Sequence, residues 1–158
     1  MSVFVDVINA YKNRLLLATQ NNGPLKSVKS VRVGFKAELR RQIDTPRINI
    51  SLKRLGQSRT MANKILIQPM VIEILVVTAT AENMDNPNSL WNGDLGGLPL
   101  LENVLNVIEK DEAGVVDQTL GGVAEGNWTY EVSQVNDDQF IGYNIIITHE
   151  VEYVQGGR

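Results

Sequence analysis

Six of the eight residues of Val71–Thr78, VIEILVVT, are Val, Ile or Leu, and Glu73 is the only charge among them. A strand with one wet face alternates polar and apolar residues, and this run does not. It predicts a central strand covered on both faces, so the fold must supply a layer on each side of a sheet. Upstream, Ile65-Leu66-Ile67 is also apolar, and Pro69 lies between the two runs. Proline cannot donate to a ladder, so the spacing predicts a bulge, an edge or a break at that point.

The remaining elements fall around this strand. Val28–Gly34 reads as a short strand with basic residues interleaved. Arg47–Lys53, RINISLK, alternates strictly and predicts a half-buried strand. Trp128–Val135 alternates as well, Asn136-Asp137-Asp138 turns, and Phe140–Val154 returns, which predicts a C-terminal hairpin. Two helices are expected. The first covers roughly residues 3–20, capped by Ser2, with Asp6 in its first turn and Phe4, Val7, Ile8, Tyr11 and Leu15 on one stripe. Asn21-Asn22-Gly23-Pro24 stops it, with Gly23 available for a left-handed cap. The second starts near Pro99, with Leu98, Leu101, Val104, Leu105 and Ile108 on a stripe and Gly114 closing it. The order of helix, strands, helix, strands predicts the α+β class: a mostly antiparallel sheet with two principal helices packed on one side. The whole of 1–158 reads as a single domain, with extended loops near 53–64 and 82–97.

Composition removes several function classes. The chain has no cysteine, which excludes disulfides, thiolate zinc sites and cysteine nucleophiles. Its one histidine, His149, falls on a strand face with Ile145, Ile147, Val151 and Tyr153, where packing is the expected role. Neither GxxxxGK[ST] nor a strand–GxGxxG–helix pattern occurs. Gly93, Gly96 and Gly97 precede a helix, but no lysine or arginine is nearby and Asp94 would repel an anion. Asp85, Asp94, Asp111, Glu112, Asp137 and Asp138 sit in loops or at helix ends, without the spacing of a calcium loop. No catalytic residue, cofactor or metal ligand is expected, and no enzyme. The N-terminal stretch lacks the pattern of a signal peptide, and no apolar run reaches the length of a membrane span. The expectation is a soluble protein made in a cytoplasm.

The net charge of −3 hides an asymmetry. Residues 1–64 hold 13 basic and three acidic side chains, a net of +10, whereas residues 65–158 hold two basic and 15 acidic, a net of −13. Such halves either fold against each other or face different ways, as in a subunit that joins others head to tail. Within the basic half, Lys53–Lys64, KRLGQSRTMANK, lies between two strand runs and reads as a hairpin tip with Gly56 giving a flexible backbone. Lys and Arg on such a tip suit phosphates. However, the aromatics that single-strand binders stack on bases are missing, as is any recognised reading helix. Protein contact is favoured, through Lys53, Arg54, Arg59 and Lys64. The loop Glu82–Gly97 supplies a further interface candidate in Trp91, since tryptophan is enriched among interface hot spots.

The element order, the basic hairpin, the Asn/Gly/Trp loop before the second helix and the closing pair GNWTYEVSQVNDDQFIGYNIIITHEVEYV together resemble the tail terminator (tail completion) proteins of long-tailed bacteriophages. The resemblance covers most of the chain and rests on element order and texture. It implies a ring of copies of this chain, hexameric in the family, capping the head-proximal end of the tail tube. Its partners would be the tail tube protein, the head connector or stopper protein, and the sheath protein if the tail contracts. Genomic DNA would pass through the lumen without specific binding, no membrane would be involved, and the location would be the neck of the virion. Another neck or tail-tube component, or a nucleic-acid-binding accessory protein using residues 1–64, remains the alternative.

Overall fold

The computed structural model describes residues 2–35, 44–80, 97–109, 128–136, 140–154 and 156. In chain order these form α1 (Val3–Ala18), β1 (Ser30–Val33), β2 (Arg47–Leu55), β3 (Arg59–Thr60), a tight turn over Ala62–Lys64, β4 (Ile65–Thr80), α2 (Gly97–Glu109), β5 (Trp128–Asn136) and β6 (Phe140–Val154). The strands make one six-stranded sheet in the order β1-β2-β4-β6-β5, with β3 pairing to β4 beyond the end of β2. Only β1–β2 is parallel; every other pair is antiparallel. The fold is α+β, with two helices and a largely antiparallel sheet.

β4 is the centre that its sequence requires. Met70 to Val77 are all buried, on both faces. Met70, Ile72, Ile74 and Val76 point into the main core, where they meet Ile48 and Ile50 of β2 and Ile145, Ile147 and Val151 of β6. Val7, Tyr11 and Leu15 of α1 and Leu100, Leu101, Val104 and Ile108 of α2 close that core from above. On the opposite face Leu75 and Val77 pack with Phe140.

Four details differ from the sequence expectation. β4 is one continuous strand of 16 residues, unbroken at Pro69. The carbonyl of Pro69 accepts from Gly56 N at 2.7 Å, so its nitrogen also points to the side where the chain passes between β2 and β3, and no ladder donor is needed there. The irregularity falls instead on β2, where the register shifts between Leu52 and Arg54 and leaves Lys53 as the bulged residue. Second, β2 is not half-buried along its length: Arg47 to Ser51 are buried on both faces and Leu52 to Leu55 are exposed. The first half lies between β1 and β4, and the second half projects as a hairpin arm.

Third, the buried face of α2 is centred on Leu100, Leu101, Val104 and Ile108, so Leu98 is exposed and Leu105, seven residues on at the same azimuth, is only partly buried. Likewise Phe4 and Ile8 flank the α1 stripe, and Ala10 is buried within it. Fourth, the left-handed residues after α1 are Asn21 and Asn22 (φ 53° and 57°), not Gly23. Gly23 is needed for closeness: a Cβ there would lie 2.2 Å from the carbonyl oxygen of Ala18, where the chain doubles back and Leu25 N donates to that same oxygen. The expected α2 terminator Gly114, the turn residues Asp137 and Asp138 and nearly all of the 82–97 loop lie outside the described residues.

Candidate interaction surfaces

The basic hairpin is an anchored arm. β2 carries the strand to Leu55, β3 resumes it at Arg59, and only Gly56–Ser58 between them lacks strand pairing. Gly56 is pinned rather than free. Its N–H donates to Pro69 O at 2.7 Å, its carbonyl accepts from Gln68 Nε2 at 3.1 Å, and a Cβ added to it would lie 3.0 Å from the Pro69 ring. Gln68 Oε1 in turn accepts from the Tyr153 hydroxyl at 3.0 Å, and Tyr153 meets the Phe4 ring edge to face at a centroid distance of 6.1 Å. The base of the arm is thus tied to β6 and to the first turn of α1.

Lys53, Arg54, Arg59 and Lys64 are all exposed on this arm. Lys53 occupies the bulge, and Asn63 and Lys64 turn the chain with φ of 66° and 62°. Arg59 has a partner within this fold: its Nη2 stands 3.4 Å from Glu150 Oε1, reaching across β4 to β6. With the arginine side chain 65% exposed, the pair is solvated and weak. Of the five candidates, Lys53 and Arg54 are adjacent on β2, Arg59 lies on β3 four positions further along β4, and Lys64 sits at the turn that follows. Trp91 lies outside the described residues.

The sheet order sorts charge. Among the described residues every lysine and arginine precedes β4, Glu73 lies on β4, and the acids that follow it are Glu102, Glu109, Glu131, Glu150 and Glu152. Among the described residues β1 forms one edge of the sheet and β5 the other, so the basic half of the chain ends at one edge and the acidic half at the other. Beyond Ile50, β2 itself has no outer neighbour among the described residues, and the arm continues the basic edge.

At the β1 edge, Ser30 Oγ donates to Asp44 Oδ2 at 2.5 Å, Arg32 Nη1 lies 3.7 Å from Asp44 Oδ1, and Arg47 Nη1 donates to the Asp44 carbonyl at 3.0 Å. Burial alone would raise the Asp44 carboxyl, but the Ser30 hydroxyl and the Arg32 and Arg47 charges outweigh it and hold the group below its ordinary range. Arg47 is fully buried, and that burial depresses its own proton affinity against the pull of Asp44. At the β5 edge, Trp128 stacks on Tyr130 with centroids 5.8 Å apart, and the Tyr130 hydroxyl donates to the Glu109 carboxylate of α2. That bond to a carboxylate is the main reason the Tyr130 phenol is pushed up.

His149 has the packing role that its strand face implies. It is fully buried, and its Nδ1 stands 2.9 Å from the hydroxyl of Tyr11, itself buried in the helix–sheet interface. Burial drives the Tyr11 phenol far upward, with Arg14 pulling the other way. On the opposite face of the sheet a polar row is also buried: Asn49 and Ser51 on β2, and Glu73 on β4, whose Oε1 accepts from Asn144 Nδ2 at 2.9 Å. Among the described residues no group of three or more His, Asp or Glu is placed to hold a metal ion, and no helix is long and apolar enough to cross a membrane.

Sequence reasoning singled out the arm and missed the two edges. Arg32, Tyr130 and Glu131 were legible as strand residues, but which strands end the sheet depends on pairing between segments far apart in the chain. The chain matches no family model and no curated protein.

Proposed function

We propose that the chain is a ring-forming structural subunit of a long-tailed bacteriophage virion, acting as the tail terminator that caps the tube and joins it to the head connector. One observation carries the reading: the sheet order puts the basic part of the chain at one edge and the acidic part at the other. A subunit with unlike edges associates head to tail, and such heterologous contacts close into a ring when the rotation allows. Complementary charge at the two edges orients the copies and rejects the like-to-like arrangement. In this reading the arm bearing Lys53, Arg54, Arg59 and Lys64 meets the tube or the connector, and no catalytic step is involved.

The test is assembly. Purified chain is mixed with polymerising tail tube protein and the products are imaged in negative stain. A ring at one end of each tube and an arrest of growth are expected; tubes that grow past the added chain overturn the proposal. Replacing the four arm residues by Glu together is expected to abolish capping, while single replacements are mild. Tight binding of double-stranded DNA at physiological salt, lost in the fourfold variant, would instead establish the nucleic-acid accessory role.

A further inference from the structure

We propose that copies of this chain join by continuing the β-sheet, with β1 of one copy pairing antiparallel to β5 of the next in the register that sets Arg32 opposite Glu131. The inference rests on the ring-subunit reading and names the surface that makes the ring.

Three independent features of the fold point to this pairing. The first is exposure. β1 and β5 end the sheet, and each has one side with no strand partner among the described residues. β5 is nine residues long, with Thr129 to Gln134 all exposed. An unpaired strand of that length is a template for another strand.

The second is direction. β1 runs with β2, β2 against β4, β4 against β6, and β6 against β5. β1 and β5 therefore point opposite ways within one sheet. A neighbouring copy displaced along the sheet keeps its strand directions, so its β1 meets β5 in the antiparallel sense, which needs no reorientation of either partner.

The third is the match of faces. Register places Val33 on the helix-covered face, with Ile50, and Arg32 on the other face, with Asn49. On β5, Tyr130 and Val132 share the helix-covered face with Ile147 and Ile145, and Glu131 takes the other with Ile146. Setting Arg32 opposite Glu131 then puts Val33 opposite Tyr130 on the same face as the helices. A charge pair and an aromatic–β-branched pair are both favourable across an antiparallel ladder. A slip by one residue would set Arg32 among Tyr130 and Val132 on the wrong face, and a slip by two keeps the faces but parts Arg32 from Glu131. Val33 and Tyr130 are 39% and 38% exposed in the single subunit, as apolar groups awaiting cover would be.

The absence of native cysteine makes the pairing directly testable. Val33→Cys and Tyr130→Cys are made singly, mixed, and oxidised in the presence of tube ends. Within one subunit the two positions are separated by the width of the sheet, about 19 Å for four strand spacings, beyond the ~7 Å a disulfide spans. The expected result is a disulfide dimer from the mixture and none from either variant alone. Dimers from one variant alone would mean like edges pair, and no dimer from the mixture would mean the edges do not meet; either result overturns the inference. Arg32→Glu or Glu131→Arg alone is expected to lower the mixed-dimer yield about two- to fivefold, the scale of one solvated ion pair, and the charge-swapped double variant to restore it. Unchanged yields in all three would remove the proposed register. Native mass of the wild type separates the two failures. Rings without the disulfide leave the ring reading standing and discard the edge pairing, whereas mixed disulfides without tube capping do the reverse.

Discussion

β4 and β5 lie one strand apart in the same sheet; β4 is rich in β-branched residues, and β5 carries β-branched and aromatic ones. β4 is paired along both sides and covered on both faces from Met70 to Val77, while β5 has one paired side and exposed side chains from Thr129 to Gln134. The difference is one of position, and it divides labour. Apolar side chains on β4 hold the subunit together; similar side chains on β5 are left over for association. Substitutions of equal chemistry in the two strands therefore have unlike consequences.

The largest contrast is between Ile74 and Val132. Ile74 is fully buried in the main core, and Ile74→Ala is expected to cost about 2–5 kcal/mol, the range for deleting a core aliphatic. Val132→Ala is expected to change subunit stability by less than about 0.5 kcal/mol, as at other surface sites, while weakening self-association. Denaturant unfolding of the two variants checks the first part, and solution mass the second. Equal losses of stability would break the comparison.

A second test asks how far the core reaches toward the edge. His149 on β6 faces Met70 of β4 on one side and Trp128 of β5 on the other, and it holds the Tyr11 hydroxyl at 2.9 Å. Tyr11→Phe keeps the ring and removes that bond. A buried hydrogen bond is worth about 0.5–1.5 kcal/mol net, so unfolding should show a loss of that size. A smaller loss would place the boundary of the core at β6 itself.

How much of this was legible in the sequence follows the same division. The centrality of β4 could be read directly, because a run such as VIEILVVT tolerates no wet face. The two helices and the closing hairpin followed from periodicity and turn chemistry. What the residues do not carry locally is pairing. Arg47, Asn49 and Ser51 alternate as polar residues, so RINISLK reads as half-exposed, yet all three are buried beside β4. Pro69 reads as an interruption, yet the strand passes through it because the gap between β2 and β3 faces its missing donor. For the same reason the arm was found from its charges, whereas the edge residues Arg32 and Glu131 were not.

The β1 edge offers a pH test of the comparison. Asp44 links Ser30 and Arg32 of β1 to the start of β2, and its carboxyl titrates below its ordinary value of 3.8. A group depressed on folding adds stability that is present above its unfolded value and is lost as pH falls through its folded one. Wild type should thus lose part of its stability below about pH 4, and Asp44→Asn should flatten that acid limb while being less stable at neutral pH. An unaltered acid limb in Asp44→Asn would show that the β1 edge is held by its backbone pairing alone.

The smallest expected effect concerns Arg59 and Glu150, the ion pair that ties the arm to β6. The two groups are 3.4 Å apart, with side chains 65% and 33% exposed. Water competes for both, so a double-mutant cycle with Arg59→Ala and Glu150→Ala should give a coupling of about 0.2–1 kcal/mol, falling as salt is raised. The arm does not depend on this pair for its shape, because Gly56 is fixed to Pro69 and Gln68 through hydrogen bonds that neither substitution touches. Arg59→Ala should accordingly leave the arm's amide protection against hydrogen exchange intact while removing one charge from its exposed surface. If that protection collapses instead, the arm is held by its charges, and Arg59 belongs with the residues that build the subunit.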